Sequence, residues 1–366
     1  MIPKKPILLH YFITTTCNCR CQFCDIWKQQ ERHQARLSDV LQNLTQAKRL
    51  GIRFVDFTGG EPLMHPHLPE MLLYAKRLGL MTTLTTNGLL YPERSKELVS
   101  LVDLLHISLD AADESDHNTL RNADCYHSAL LSIDKALTLK QVPDILFTVN
   151  KANLKHVAPL VKLAQSLHIM LIINPVFPIS ASRLSNVDLD YLLSFANKPF
   201  VYINKAIIAF RKNGGNDNMQ PRCRVGDAVI VISSKNTLLL PCFHHHVFAV
   251  ALENDLLLKW NSKVIRNQRK KQGCFPFCKG CVISCYFDPS FLYTFDRLYF
   301  QNIFPKFKYA IDKYIRRHIL NWMKGNPCSA ATYVKRPDKL GKTYIKRPVT
   351  LKTNDRQTGK RLGKRI

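Results

Sequence analysis

Short apolar runs alternate with amphipathic segments along the first half of the chain. The apolar runs cover residues 7–14, 54–58, 81–86, 104–110, 145–149 and 170–175. Segments with apolar residues at helical spacing lie between them, at 38–50, 68–78, 92–101, 126–140 and 154–167. This alternation is typical of buried strands in a parallel sheet. With right-handed crossovers, six such units predict an α/β fold that curls into a partial (β/α)6 TIM-like barrel.

Residues with functional chemistry fall where these apolar runs end. Three cysteines follow the first run, a Gly-Gly-Glu-Pro sequence at 59–62 follows the second, Ser108 and Asp110 end the fourth, and Asn150 follows the fifth. In barrels of parallel strands, ligands bind at the carboxyl ends of the strands. The positions therefore predict one site at one end of the barrel.

Cys17, Cys21 and Cys24 have the spacing C-x3-C-x2-C. Three thiolates on a short loop can hold three corners of a cubane iron–sulfur cluster and leave its fourth iron open for chemistry. Cys19 lies inside the same loop. We interpret it as a bystander thiol, because as a fourth ligand it would close the open corner and leave only an electron carrier.

The cysteine motif, with Phe23 before its last cysteine, the Gly-Gly-Glu-Pro sequence and Ile107-Ser108-Leu109-Asp110 together resemble the radical SAM superfamily over residues 7–175. The resemblance implies a [4Fe-4S] cluster on the three cysteines, with S-adenosylmethionine (SAM) bound at the open iron. It also implies reductive cleavage of SAM to a 5′-deoxyadenosyl radical, which abstracts hydrogen from a substrate in oxidoreductase- or transferase-type chemistry. The residues it implies for SAM binding are Phe23, Gly59, Gly60, Glu61, Ser108, Asp110, Arg121 and Asn150, and it names no catalytic residue.

Six further cysteines lie in the second half, at Cys223, Cys242, Cys274, Cys278, Cys281 and Cys285. The first two flank a predicted β-hairpin, formed by 228–232 and 238–242. This pattern resembles the SPASM/twitch extension of radical SAM proteins, although the cysteine spacing is compressed and Asn236 replaces a common glycine. The resemblance implies one auxiliary iron–sulfur cluster. The sequence does not decide which four thiolates bind this cluster, and a zinc site is the alternative to it. The adjacent His244, His245 and His246 either form a polar loop or supply a ligand.

The net charge of +26 predicts an anionic partner. Bases and aromatics alternate at helical spacing over 306–324, and twelve Lys or Arg residues against two Asp follow from residue 329. The helix either packs over the barrel end with its basic face in water or lies on an anionic membrane, and the tail suits any polyanion. With no long apolar run and no convincing signal peptide, the sequence predicts a cytoplasmic protein, peripheral at the inner membrane surface if lipid is bound.

These patterns divide the chain into a radical SAM core (1–178), a linker with a helical segment (179–220), an auxiliary cluster region (221–288), a basic aromatic helical segment (289–325) and a disordered basic tail (326–366). The substrate could be a peptide, a lipid or another metabolite, and a flavodoxin or ferredoxin would supply electrons. The competing hypothesis is a non-catalytic iron–sulfur or zinc module that docks on nucleic acid through its tail.

Overall fold

Ten strands form a single sheet, and eight of them run parallel to their neighbours. The computed structural model describes residues 5–177 and 184–324; the predicted basic tail lies outside these residues. The strands follow the order β10-β9-β8-β1-β2-β3-β4-β5-β6-β7. Their bounds are β1 Leu8–Thr14, β2 Phe54–Gly59, β3 Met81–Thr86, β4 Leu104–Ser108, β5 Asp144–Val149, β6 Leu171–Pro175, β7 Val201–Tyr202, β8 Val229–Ile232, β9 Thr237–Pro241 and β10 His246–Ala251.

Helices follow the strands as a (β/α) barrel requires. Their bounds are α1 Leu37–Leu50, α2 Leu68–Arg77, α3 Tyr91–Leu98, α4 Glu114–Arg121, α5 Tyr126–Thr138, α6 Val157–Leu167, α7 Asn186–Leu193, α8 Lys205–Lys212, α9 Val225–Ala228, α10 Leu256–Asn261, α11 Lys263–Lys270, α12 Ser284–Ser290, α13 Arg297–Ala310 and α14 Arg317–Lys324. A π-helical segment, Ile311–Arg316, joins α13 to α14. The fold is the expected partial barrel, because β7 and β8 do not pair with each other.

Strand β1 lies at the centre of the sheet, with both faces buried. Leu9, Tyr11 and Ile13 pack into the large core under the helices. Phe12 points the other way, into a second core that includes Val229 and Val231 of β8. A strand buried on both faces must be apolar throughout, which is why the first run of the sequence shows no alternation.

The predicted hairpin is part of the barrel sheet. Strand β8 pairs in parallel with β1, from Leu8 opposite Val229 to Tyr11 opposite Ile232. Asn236 in the hairpin turn has a φ of 55°, which asparagine tolerates better than most residues. Its side chain also accepts a hydrogen bond from Asn43 of α1 at 2.7 Å. The asparagine thus serves where a glycine is common.

Two elements differ from the sequence pattern. From the pattern at 38–50, Ser38 is expected to cap the first helix, but α1 begins at Leu37 with Arg36 at its N-cap position. A helix is expected over residues 200–212 of the linker region, but Val201 and Tyr202 form β7 and pair with Leu171 and Ile172. Such a short strand is too brief to show its own period in the sequence.

The C-terminal helices cross the end of the barrel where the strands begin, opposite the cysteine loop. Lys313 forms a buried ion pair, Nζ to Oδ1 at 2.7 Å, with Asp144 at the start of β5. The backbone N–H of Phe200, next to β7, donates to Asp312 at 3.0 Å. The segment therefore packs over the barrel end, but several bases face the protein and the aromatic side faces water. No helix within the described residues is long and apolar enough to cross a membrane.

Candidate active site

The loop that carries Cys17, Cys21 and Cys24 is fixed by backbone hydrogen bonds from two sides. The amides of Arg20 and Gln22 both donate, at 3.0 Å, to the last carbonyls of α4. These carbonyls have no partner within their own helix, so the loop also satisfies the end of α4. The loop's conformation is thereby set by the helix that follows β4.

On its second side, the cysteine loop is held by the segment that contains Gly59 and Gly60. The N–H of Gly60 donates to the carbonyl of Thr14, and the N–H of Glu61 to that of Thr16, both at 2.8 Å. A Cβ on Gly60 would lie 2.2 Å from the Thr16 oxygen, and one on Gly59 would lie 2.1 Å from the Thr14 oxygen. Only glycine permits this approach. The two glycines are thus in close contact with the backbone that leads into the cysteine loop, whereas the sequence analysis assigned both of them to SAM binding.

Glu61 is almost fully buried, with 2% exposed. Its carboxylate accepts hydrogen bonds from the N–H groups of Leu63 and Asn87, at 3.1 and 2.8 Å, and from the Thr86 hydroxyl at 2.8 Å. Burial raises its pKa. Asn87 in turn donates to Asn18 in the cysteine loop at 2.7 Å. Glu61 thus joins the ends of β2 and β3 to the cysteine loop.

The four thiols of the loop differ in their electrostatics. Hydrogen bonding by the Cys19 thiol lowers the pKa of Cys17, and it lowers that of Cys21 to about 7. Burial raises the pKa of Cys24 to about 11. Cys19 is 1% exposed and lies among the sulfurs of Cys17, Cys21 and Cys125. Cys19 therefore lies at the centre of these thiols, and its hydrogen bonds favour the thiolate forms of Cys17 and Cys21.

Asp110 and Arg121 form a buried ion pair. The Arg121 Nη2 lies 2.6 Å from Asp110 Oδ2, and the other carboxylate oxygen accepts from the N–H of Thr148 at 2.8 Å. Asn150, 4% exposed, accepts from the N–H groups of Ala152 and Asn153 in a tight turn after β5. The side chains of these three predicted residues are thus already engaged by the protein. Ser108 is buried at the end of β4.

In the second half, four of the six cysteines line one small cavity of about 20 Å³: Cys223, Cys242, Cys278 and Cys281. Cys274 and Cys285 are not among its lining residues. Burial raises the pKa of Cys242 to about 12 and that of Cys278 to about 11. The cavity thus brings four of the six candidate cysteines together.

The spread of these sulfurs bears on which metal fits. Within the described residues, the one group of three or more candidate ligand atoms mutually closer than 4.8 Å is Asp113, Asp116 and His156. A single zinc ion holds its thiolates at about 2.3 Å, and hence about 3.8 Å from one another. Among the described residues, no three cysteine sulfurs lie mutually within 4.8 Å.

Asn216, which the sequence analysis missed, holds this cavity together. Its side-chain amide donates to the carbonyls of Gly273 and Cys278, at 2.9 and 3.1 Å, and its oxygen accepts from the N–H of Cys223 at 3.3 Å. Its backbone N–H also donates to the carbonyl of Cys281. A buried asparagine between two loops carries no recognisable pattern in a single sequence.

A larger cavity of about 830 Å³ lies between the two cysteine regions. Its walls come from the cysteine loop (Phe23, Cys24), from Asn174 and Pro175 at the end of β6, from residues 243–246 and from residues 277–283. All three adjacent histidines line it. The His244 ring lies edge-on to Phe177, 4.8 Å between centroids, and burial lowers the His244 pKa to about 4. That histidine is therefore neutral and belongs to a mainly aromatic wall.

The predicted residues thus gather in two places. One group lies at the carboxyl ends of β1–β5 and consists of the cysteine loop with Phe23, Gly59, Gly60, Glu61, Ser108, Asp110, Arg121 and Asn150. The four cysteines of the smaller cavity form the second group, on the far side of the aromatic cavity. Besides Asn216, the sequence analysis missed Cys125, a buried thiol next to Cys19, and His117, whose ring lies 3.3 Å from that thiol. Nothing in their sequence context marks either residue.

Comparison with known proteins agrees with this geometry. Residues 11–164 match the model of the radical SAM superfamily. This part of the chain is similar to a radical SAM domain. Domains of this family use a [4Fe-4S] cluster and SAM, and the three loop cysteines provide the donor set. The GTP 3′,8-cyclase of Chlorobaculum tepidum is 32% identical over 131 residues, which cover 34% of this chain and 39% of the cyclase.

A second relative is the PqqA peptide cyclase of Streptomyces rochei, 32% identical over 163 residues, or 42% of this chain and 44% of the cyclase. The chain therefore spans about two fifths of the length of these two curated relatives. Among solved structures, Streptococcus suis SuiB bound to SAM superposes with a TM-score of 0.62 at 19% identity, covering 72% of this chain and 67% of SuiB. The anSMEcpe structure with AdoMet and a peptide has a TM-score of 0.58 at 17% identity, covering 86% and 99%. At such identities the likeness concerns the fold.

Proposed function

We propose that the protein is a radical SAM enzyme with one auxiliary iron–sulfur cluster, acting on a substrate that binds in the aromatic cavity. The observation that carries the proposal is the placement of this cavity. It touches Cys24 of the cysteine loop on one side and Cys281 of the second cysteine set on the other. Its volume of about 830 Å³ lies within the usual range of small-molecule pockets, about 300–1,000 Å³, so it can hold a small molecule or part of a peptide.

Cys17, Cys21 and Cys24 would hold the first cluster, and SAM would bind at its open iron. A reduced cluster of this kind supplies the electron that cleaves SAM, and the adenosyl radical takes a hydrogen atom from substrate. Phe23 and Ser108 would contact SAM. Gly59, Gly60 and Glu61 would act through the loop they hold.

Asp110, Arg121 and Asn150 are proposed as positioning residues, because each side chain already has partners within the protein. The arginine would orient the end of α4, whose carbonyls hold the cysteine loop. The four cysteines Cys223, Cys242, Cys278 and Cys281 would hold the auxiliary cluster. The aromatic walls would exclude water from the reacting atoms, and a flavodoxin or ferredoxin would deliver electrons.

We propose a peptide as the substrate class, because the aromatic walls of the cavity suit apolar side chains. The compared proteins include a peptide cyclase, and a solved structure contains a bound peptide. The nucleic-acid module hypothesis finds no support in the described residues, since the aromatic cavity would have no role in it. The proposed domain division also stays a prediction, and the described residues fall within one compact unit.

The test is SAM turnover by anaerobically reconstituted, dithionite-reduced protein, with 5′-deoxyadenosine as the product measured. We expect turnover by the native chain and by Cys274→Ser, and none by Cys21→Ser. Replacement of Cys278 by serine should remove about half of the bound iron, roughly four of eight atoms if both clusters are cubanes. A native chain with a full cluster that forms no 5′-deoxyadenosine would refute the proposal.

A further inference from the structure

A continuous apolar stripe runs along the outer face of the C-terminal helices. Seven of its side chains are between 42% and 63% exposed: Phe300, Phe304, Phe307, Ile311, Tyr314, Ile315 and Ile319. They recur every three to four residues across α13, the π-helical segment and α14. At 1.5 Å per residue the stripe is roughly 30 Å long. Single exposed apolar residues are ordinary, but a continuous stripe of this length marks an interaction surface.

The opposite face of these helices fixes the stripe in its outward orientation. Lys313 is ion-paired with Asp144, and the Tyr309 hydroxyl donates to the same carboxylate at 2.5 Å. Asp312 accepts from the N–H of Phe200 at 3.0 Å, and Lys308 donates to the carbonyl of Val201 at 3.0 Å. Rotating the helix to bury the stripe would break all of these buried contacts. The apolar side chains therefore stay in water unless a partner covers them.

Charge indicates the kind of partner. The chain carries 53 Lys and Arg against 27 Asp and Glu, so two copies repel each other. Arg297 and Arg316 are exposed beside the stripe, and the 42 residues after the last described helix hold twelve Lys or Arg and two Asp. A helix with an aromatic and aliphatic face, next to a polybasic segment, suits the boundary between the headgroups and acyl chains of an anionic bilayer.

We propose that the stripe docks this protein on an anionic phospholipid bilayer, with the helices lying in the plane of the interface. The helices cross the end of the barrel where the strands begin, whereas the cysteine loop and the aromatic cavity lie at the other end. Docking therefore leaves the mouth of the active site facing the solution. This inference does not depend on the proposed reaction.

The test is co-sedimentation of the full, cluster-loaded chain with vesicles of phosphatidylcholine alone or mixed with phosphatidylglycerol. We expect binding to the mixed vesicles that weakens as salt is raised. The variant Phe304→Gln/Phe307→Gln keeps the charge and should lower the partition coefficient by about tenfold or more. The matched control is Val187→Gln/Leu258→Gln, which removes two apolar side chains that are 77% and 67% exposed elsewhere on the surface; it should bind like the native chain.

Far-UV circular dichroism and iron content, unchanged in both variants, show that each is folded. Three results would overturn the proposal. The first is no sedimentation with anionic vesicles. The second is equal binding by the native and Phe304→Gln/Phe307→Gln chains, which would assign the lipid affinity to the basic tail alone. The third is a native dimer in sedimentation velocity that this variant converts to monomer, which would make a second copy the partner.

Discussion

The contact between Gly60 and the cysteine loop leads to a quantitative prediction for Gly60→Ala. The added Cβ would lie 2.2 Å from the Thr16 carbonyl oxygen and 3.1 Å from the Cβ of Cys17. Relief to normal contact moves the loop by about 1 Å or more. The hydrogen bonds from Gly60 and Glu61 to the loop, both 2.8 Å, would then stretch beyond useful length.

Overpacking costs about 1–3 kcal/mol and each lost hydrogen bond about 0.5–1.5 kcal/mol, so the free energy of unfolding should fall by roughly 2–6 kcal/mol. A domain with typical stability survives this loss. Metal ligands tolerate displacements of only about 0.2 Å, so the cluster held by the loop should be lost. We expect Gly60→Ala to lose about half of the reconstituted iron and all SAM cleavage, while keeping the native far-UV spectrum.

The matched control is Gly226→Ala, where the added Cβ would lie 3.1 Å from the flexible Arg269 side chain. That neighbour can move, so the control should keep its full iron content. Iron and sulfide per chain after anaerobic reconstitution give the readout. Native iron content and SAM turnover in Gly60→Ala would show that the loop does not depend on the close approach. An equal loss in both variants would point to general instability instead.

Four further predictions concern other parts of the fold. Burial lowers the pKa of His117 from 6.5 to about 3, so the unfolded chain binds this proton more tightly than the folded chain does. The free energy of unfolding should therefore fall by about 2 kcal/mol between pH 7.5 and pH 5. Urea unfolding of His117→Gln should not show this fall. Lys313→Met leaves the buried Asp144 without its cation and should cost about 3–5 kcal/mol in denaturant unfolding, with part recovered on adding Asp144→Asn; equal stability of the single variant and native chain contradicts this. Cys19→Ser should retain native iron content, and loss of iron from the loop cluster would make Cys19 a ligand. Asn216→Ala should lose the auxiliary iron only, and an unchanged iron count would show that the asparagine is dispensable.

The strands β1 to β6 were predictable from the alternation of short strand-like runs with helical segments, and the observed bounds differ from the expected ones by at most two residues. The motif residues gathered at one end for the same reason, since parallel strands bring their carboxyl ends together. The seventh strand was missed because two residues carry no period. A sequence pattern therefore predicts an element well when the residues of that element alone determine its structure.

Other features depend on which partner an element meets, and a single sequence does not show this. The spacing of Lys308 and Lys313 predicted a basic face in water, but both meet the buried carboxylates of Asp312 and Asp144. Arg121 was considered as a SAM contact, yet Asp110 lies 2.6 Å from it. Six cysteines left the auxiliary set undecided, because only the folded loops show which four face the cavity.

The pairing of β8 with β1 limits how far the second cysteine region can be regarded as a module. Cys17 follows β1, while Cys223 and Cys242 flank the hairpin whose first strand is hydrogen-bonded to β1 over four residue pairs. The spacing between the two cysteine sites is thus set by strand register, and a one-residue slip would turn every side chain of β8 to the other face. Transplanting residues 221–288 onto another barrel would therefore need a first strand that matches, since β8–β10 join the barrel only through the pairing of β8 with β1.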